Sequence, residues 1–155
     1  MYILAYEMKY TGEKIEESIL EVVPFEEKYA KQYMKLYNVC FHKMREELVV
    51  KPFDFYKNEK QLETRKEHIY LYLEQGQIIG SFVLDANEID DVMVNPLYQG
   101  NGYGRKLVQT AVAMQQKRGI QSIILHAAAW NERAIGLYEK CGFEKTLAIR
   151  VKHNA

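Results

Sequence analysis

Gln99-Gly100-Asn101-Gly102-Tyr103-Gly104 places three glycines between a predicted strand and a predicted helix. Backbone N–H groups are unpaired at such a junction and the helix end is positive, so it can hold an anion. Glycine lets the chain take φ > 0 and approach a ligand closely, and Arg105 and Lys106 add charge beside it. A phosphate group is the natural guest. The loop is not a dinucleotide fingerprint, because Arg105 stands at the third glycine position, and it is not a P-loop, because no Gly-Lys-Ser/Thr is present. Upstream, Glu88, Asp90 and Asp91 form an acidic group on a predicted strand. Strict alternation puts Glu88 and Asp90 on one face and Asp91 on the other. Downstream, Asn131 and Tyr138 share a helix face with Ala134 between them.

The elements that must position these residues read from hydrophobic period. Residues 69–73, 78–84 and 89–94 are β-rich runs separated by short turns at 75–76 and 85–87, which predicts an antiparallel meander. A stripe of Leu107, Val108, Ala111 and Val112 predicts a helix that Gly119 stops, followed by a buried-type strand over 120–127. Asn131 can cap a helix running to Lys140, with Gly142 closing it and a last strand over 143–151. Earlier, Phe25, Tyr29, Tyr33, Leu36 and Cys40 trace an amphipathic helix, with Pro24 as its expected first residue. Residues 1–10 and 15–23 flank Thr11-Gly12-Glu13-Lys14 as a possible hairpin, and 51–66 reads as loop with short helical pieces. The order predicts a single α/β (α+β) domain over 1–155 with a mixed, mostly antiparallel sheet flanked by helices, in which a crossover helix joins 89–94 to 120–127 in parallel.

The stretch Val92-Met93-Val94-Asn95-Pro96-Leu97-Tyr98-Gln99-Gly100-Asn101-Gly102-Tyr103-Gly104 resembles the acetyl-CoA signature of the GNAT superfamily of N-acetyltransferases, in which Gln99, Gly102 and Gly104 match the frame. The stretch from Asn131 through Tyr138 to Gly142-Phe143 resembles that family's second signature. The similarity is strong over 88–143 and looser over 19–84, and 1–18 falls outside it as a possible N-terminal extension or hairpin. The resemblance implies a GNAT-like fold with splayed parallel strands at the cofactor site, and acetyl transfer from acetyl-CoA, as cosubstrate, to a primary amine by direct attack in a ternary complex. It implies that the backbone of Val92, Met93 and Val94 pairs with the pantetheine arm. Gln99, Gly100, Asn101, Gly102, Tyr103, Gly104 and Arg105 then hold the pyrophosphate, and Asn131 contacts the cofactor.

An amine titrating near 10.4 must lose a proton before it attacks. Resemblance favours Glu88 for that task, with Asp91 next, and makes Tyr138 the acid toward the leaving thiolate. Each has an ordinary reading beside it: solvated charges at a strand start, a core aromatic, and for Asn131 a helix cap. A non-catalytic acyl-CoA sensor or interaction module would use the same loop without turnover. The acceptor is expected to be a small-molecule or protein amine, and a homodimer is possible, with residues 1–18 extending a sheet or mediating it.

Composition narrows the rest. Twenty-one basic residues balance twenty-one acidic ones, which removes the global basic field that non-specific nucleic-acid binding needs. No apolar run approaches a membrane span, and the first ten residues carry Glu7 and Lys9 and lack a basic start, so no membrane or signal segment is expected and a cytoplasmic location is. Cys40 and Cys141 are too few for a disulfide framework or structural zinc, and the four histidines lack metal-ligand spacing, so no metal is expected. His126, at a strand end, is the histidine that merits inspection. From Val92 to Asn131 there is no acid at all, directly after the acidic group. The neutral sum therefore hides two opposed sites.

Overall fold

The meander of β3 (Ile69–Glu74), β4 (Gln77–Asp85) and β5 (Glu88–Val94) forms where the alternation predicts it, in a computed structural model that describes residues 2–152. Gln75 and Gly76 both take positive φ, 51° and 76°, which suits the tight turn between β3 and β4. Every residue of β4 between its ends is buried, because helices cover both faces. On one face α1 (Ala30–Glu47) packs Tyr33 and Leu36 against Ile78 and Val83. On the other, α2 (Tyr103–Lys117) packs Leu107, Val108 and Ala111 against Phe82 and Leu84. The second contact is tight: a Cβ on Gly80 would lie 2.5 Å from a Leu107 methyl.

The chain crosses through α2 into β6 (Ile124–Ala128), parallel to β5, then runs through α3 (Glu132–Lys140) into β7 (Phe143–Lys152). Parallel pairing of β5 with β6 is confined to the Glu88 and Ile124 register, so the two strands part beyond it. This is the splayed pair that the resemblance implies. With β1 (Tyr2–Tyr10) and β2 (Val23–Pro24), the sheet contains seven strands in the order β2-β3-β4-β5-β6-β1-β7, the mixed, mostly antiparallel sheet that the element order predicts.

Two expectations for the N-terminal part do not hold. β1 (Tyr2–Tyr10) makes no hairpin with residues 15–23; it lies between β6 and β7, antiparallel to both. The reason is burial: Met8 is fully enclosed among Leu125, Phe143 and the α2 residues, and two neighbouring ladders satisfy the strand's backbone where the acidic 15–23 segment would offer one. Pro24 does not open α1 but belongs to β2 (Val23–Pro24), the short edge strand paired with β3; the helix begins at Ala30 after a single 3₁₀ turn. Among the described residues, no helix is long and apolar enough to cross a membrane.

Candidate active site

The glycine loop is built from backbone. Gly100 and Gly102 sit at φ 83° and 82°, and a Cβ at either would meet nothing within 4 Å. Their conformation is required and the space beside them is open. Gly102 caps α2, and the first intrahelical bond runs from Lys106 N to Gly102 O at 3.2 Å, which leaves the N–H groups of Tyr103, Gly104 and Arg105 without helical acceptors. No acidic residue sits in that first turn. Asn101 fastens the loop on itself, donating to the carbonyl of Tyr98 at 3.0 Å. Gly104 permits α3 to approach, with Leu137 3.4 Å from where its Cβ would be.

The strand leading into this loop divides its labour. Met93 turns inward under α1, while Val92 and Val94 lie on the α2 side and line the groove. The Val94 carbonyl accepts from Gln99 Nε2 at 3.2 Å and from the Cys40 thiol at 3.4 Å. Burial pushes the Cys40 thiol up to about 11, so it remains a neutral donor near pH 7.

Strict alternation does not survive in β5. The β4–β5 register shifts between Ser81 and Val83, and Asp91, at φ 46°, is the left-handed residue of the resulting bulge. The bulge puts Asp90 and Asp91 together on Arg65, whose Nη2 donates to them at 3.0 and 3.1 Å. This corrects the expectation that the two would point to opposite faces. Asp91 is pushed up to about 6 by burial and then by the Asp90 carboxylate, against the pull of Arg65 and a hydrogen bond from Tyr37. Neither Arg65 nor Tyr37 was singled out from sequence: Arg65 lies in the segment without a period, and Tyr37 falls between stripe positions.

Glu88, at the head of β5, is hydrogen-bonded to Nδ1 of His126 on β6. On the far side of that imidazole, Nε2 is 3.5 Å from Glu7 of β1. Glu7 and His126 are direct cross-strand partners, and Thr146, at the bulge in β7, fastens the Glu7 carbonyl at 3.2 Å. No sequence motif pointed to Glu7.

A cleft of about 870 Å³ joins these parts, within the range of small-molecule sites. Gly100, Gly102, Gly104 and Arg105 line one end, with Tyr103 and Gln99; Asp90, Asp91 and His126 line the other, with Tyr37 of α1 beside Asp91. Val92, Asn131 and Tyr138 also line it, whereas the Glu88, Met93 and Asn101 side chains do not. Asn131 caps α3, its Oδ1 accepting from Ala134 N at 3.2 Å, which leaves its amide nitrogen for a ligand. Tyr138 packs edge-on to Phe143 and so is both a core aromatic and a wall of the cleft. Burial first, then Asp90 and Cys141, push its hydroxyl up to about 12. Among the described residues, no group of three or more His, Cys, Asp or Glu is arranged to hold a metal ion.

Comparison with known proteins gives the same reading. The chain is 37% identical over 72 residues to the ribosomal protein bS18-alanine N-acetyltransferase of Escherichia coli K12, covering 46% of this chain and 49% of that protein. It is 32% identical over 73 residues to the peptidyl-lysine N-acetyltransferase YjaB of the same organism, covering 47% and 46%. The chain thus spans about half the length of the curated relatives it matches. In fold it is similar to a GNAT acetyltransferase from Colwellia psychrerythraea, with a TM-score of 0.71 at 8% identity over 99% of this chain and 57% of that one. The family model described as Acetyltransferase (GNAT) matches residues 30–143, which hold the glycine loop, the β5 bulge and α3, and the chain belongs to that family.

Proposed function

We propose that the protein transfers an acetyl group from acetyl-CoA to a primary amine by direct attack in a ternary complex. The observation that carries this is one cleft running from the open glycine end of α2, past the parting of β5 and β6, to a row of ionisable side chains. The residues present fit the cofactor: an open cradle at Gly100 and Gly102, three N–H groups without helical acceptors, and Arg105 and Arg133 at the same cleft. Bound there, acetyl-CoA supplies a thioester carbonyl open to attack.

The backbone of Val92, Met93 and Val94 flanks the pantetheine path, and Asn131 presents its free amide from the opposite wall. Tyr138 keeps its proton throughout the neutral range. Its hydroxyl, held protonated by burial, donates a hydrogen bond to the developing thiolate and is the acid toward it. At the amine end, Asp90 and Asp91 are committed to Arg65, and Glu88 to His126; the proton leaves through the second pair. Asp90 and Asp91 on the cleft wall favour a cationic amine. The relatives that act on a ribosomal-protein alanine and on peptidyl lysine favour a protein amine.

Thiol release from acetyl-CoA, measured with peptides bearing N-terminal alanine or internal lysine and with polyamines, tests the proposal. Release that depends on the amine is expected. Tight CoA binding without release for any amine would instead make the protein an acyl-CoA sensor, and would overturn it.

A further inference from the structure

The row Glu7, His126, Glu88 crosses three adjacent strands on one sheet face, and it deepens the acetyl-transfer reading on which it rests. An ionised carboxylate only accepts hydrogen bonds. The bond between His126 Nδ1 and Glu88 therefore places the proton of the neutral imidazole on Nδ1. The lone pair is then on Nε2. Glu7 stands 3.5 Å from that nitrogen, within charge contact but beyond the roughly 2.7–3.2 Å of an N–H···O bond, so Nε2 is held near a negative charge without being occupied by it.

We propose that His126 Nε2 is the atom that takes the proton from the acceptor amine, with Glu88 setting the tautomer and Glu7 stabilising the imidazolium. An N–H bond of the ammonium breaks as the Nε2–H bond forms, the freed amine pair attacks, and the imidazolium later returns its proton to water at its partly exposed face. Glu88 and Glu7 are positioning residues, in the arrangement by which a base is oriented by a third group. The row suits the task because a proton arriving between two carboxylates lowers its net negative charge. Asp90 and Asp91 on β5, Lys43 and Glu47 on α1, Arg105 on α2, and Arg133 and Tyr138 on α3 line the same cleft, and Lys9 shares the Glu7 face of β1. The family match begins at residue 30, so Glu7 comes from a strand outside it.

Two measurements on the whole chain test this. The first needs no acceptor: imidazole ¹⁵N spectra, with His126 assigned by its loss in His126→Gln, are followed across pH 5 to 8, roughly the range in which imidazoles titrate. The Nδ1–H tautomer is expected at the alkaline end. Glu88→Gln is expected to mix the tautomers, because a neutral amide can donate to Nδ1 as well as accept from it, and Glu7→Gln to leave the Nδ1–H tautomer dominant. A dominant Nε2–H tautomer overturns the proposal.

The second uses an amine identified by thiol release. His126→Gln is expected to lower kcat/KM by about 10²–10⁴ and to abolish the low-pH limb of the rate profile while CoA still binds, and Asp91→Asn is expected to retain that limb. The reverse pattern gives the role to Asp91 and overturns the proposal. Absence of thiol release in the wild-type protein counts against acetyl transfer itself, while the tautomer still decides the state of His126.

Discussion

The two ends of the cleft are made of different materials. The cofactor end is backbone: two glycines at positive φ, a helix terminus and a strand parting from its neighbour, all contributed by one continuous run of chain. The amine end is side chain: Tyr37, Asp90, Asp91 and His126 line it from α1, β5 and β6, and behind them Arg65 of a loop holds the two aspartates and Glu7 of β1 stands beside His126. A backbone site can be carried by a short motif, because neighbouring residues fix their own geometry. A side-chain site exists only once the sheet has assembled, and it is free to vary while the first is retained. The family match covers the whole cofactor end and, at the amine end, Tyr37, Arg65, Asp90, Asp91 and His126 but not Glu7.

Tyr138 lines the same cleft, and after His126 its replacement gives the largest expected effect. Tyr138→Phe keeps the ring against Phe143 and removes only the hydroxyl. Turnover is expected to fall by about 10²–10³, the cost of one well-placed donor, with CoA affinity unchanged by calorimetry. An unchanged rate would leave Tyr138 a packing residue and return it wholly to the core.

Gly102→Val should damage one end alone. A β-branched residue at φ 82° costs about 1–2 kcal/mol, and its side chain enters the space where an anion is expected. CoA affinity should drop roughly tenfold, with the His126 tautomer unchanged. If both ends respond, they are mechanically one unit and the contrast between them fails.

The same contrast explains what was legible from sequence. The meander, α2 and α3 follow from alternation and helical spacing, and the glycine loop follows from local chemistry. The β5 bulge was hidden because the residue at its positive φ is Asp91 rather than glycine, so nothing interrupted the alternation on paper. Glu7 was visible only as a charge inside an apolar strand, and its significance depends on the pairing of β1 with β6 across nearly the full length of the chain. Arg65 lies in a segment without a period, where nothing in the sequence says which strand it will meet. Long-range register, rather than residue type, withheld the amine end.

Asp91 gives a smaller effect, read in stability. Its folded value of about 6 lies above the roughly 3.9 of an unfolded aspartate, so between about pH 4 and 6 the native state binds more protons and this residue's contribution falls as pH rises. In Asp91→Asn that loss is absent. The stability of the variant relative to wild type, from urea midpoints, should therefore rise across that window by at most about 1.4 kcal/mol per pH unit. The variant also loses a partner of Arg65, which offsets its stability where wild-type Asp91 is ionised. A difference that is flat with pH would mean that Asp91 is not held above its ordinary range.

Cys40 should give the smallest effect, and it tests whether chemistry at the junction is direct. The thiol lines the cleft and donates to the Val94 carbonyl at the point where the parting strand meets the loop, which is where an acyl-accepting nucleophile would be expected. With its value pushed up to about 11, the thiolate fraction at pH 7 is on the order of 10⁻⁴. Transfer through an acetyl-cysteine would begin from that fraction, and direct attack by the amine does not depend on it. Cys40→Ala should therefore change turnover by less than about twofold, through the loss of one weak hydrogen bond, and rapid quenching with mass spectrometry should find no thioester on the wild-type protein. A labile acetyl adduct on Cys40, together with loss of turnover in the alanine variant, would replace the ternary complex with a two-step path.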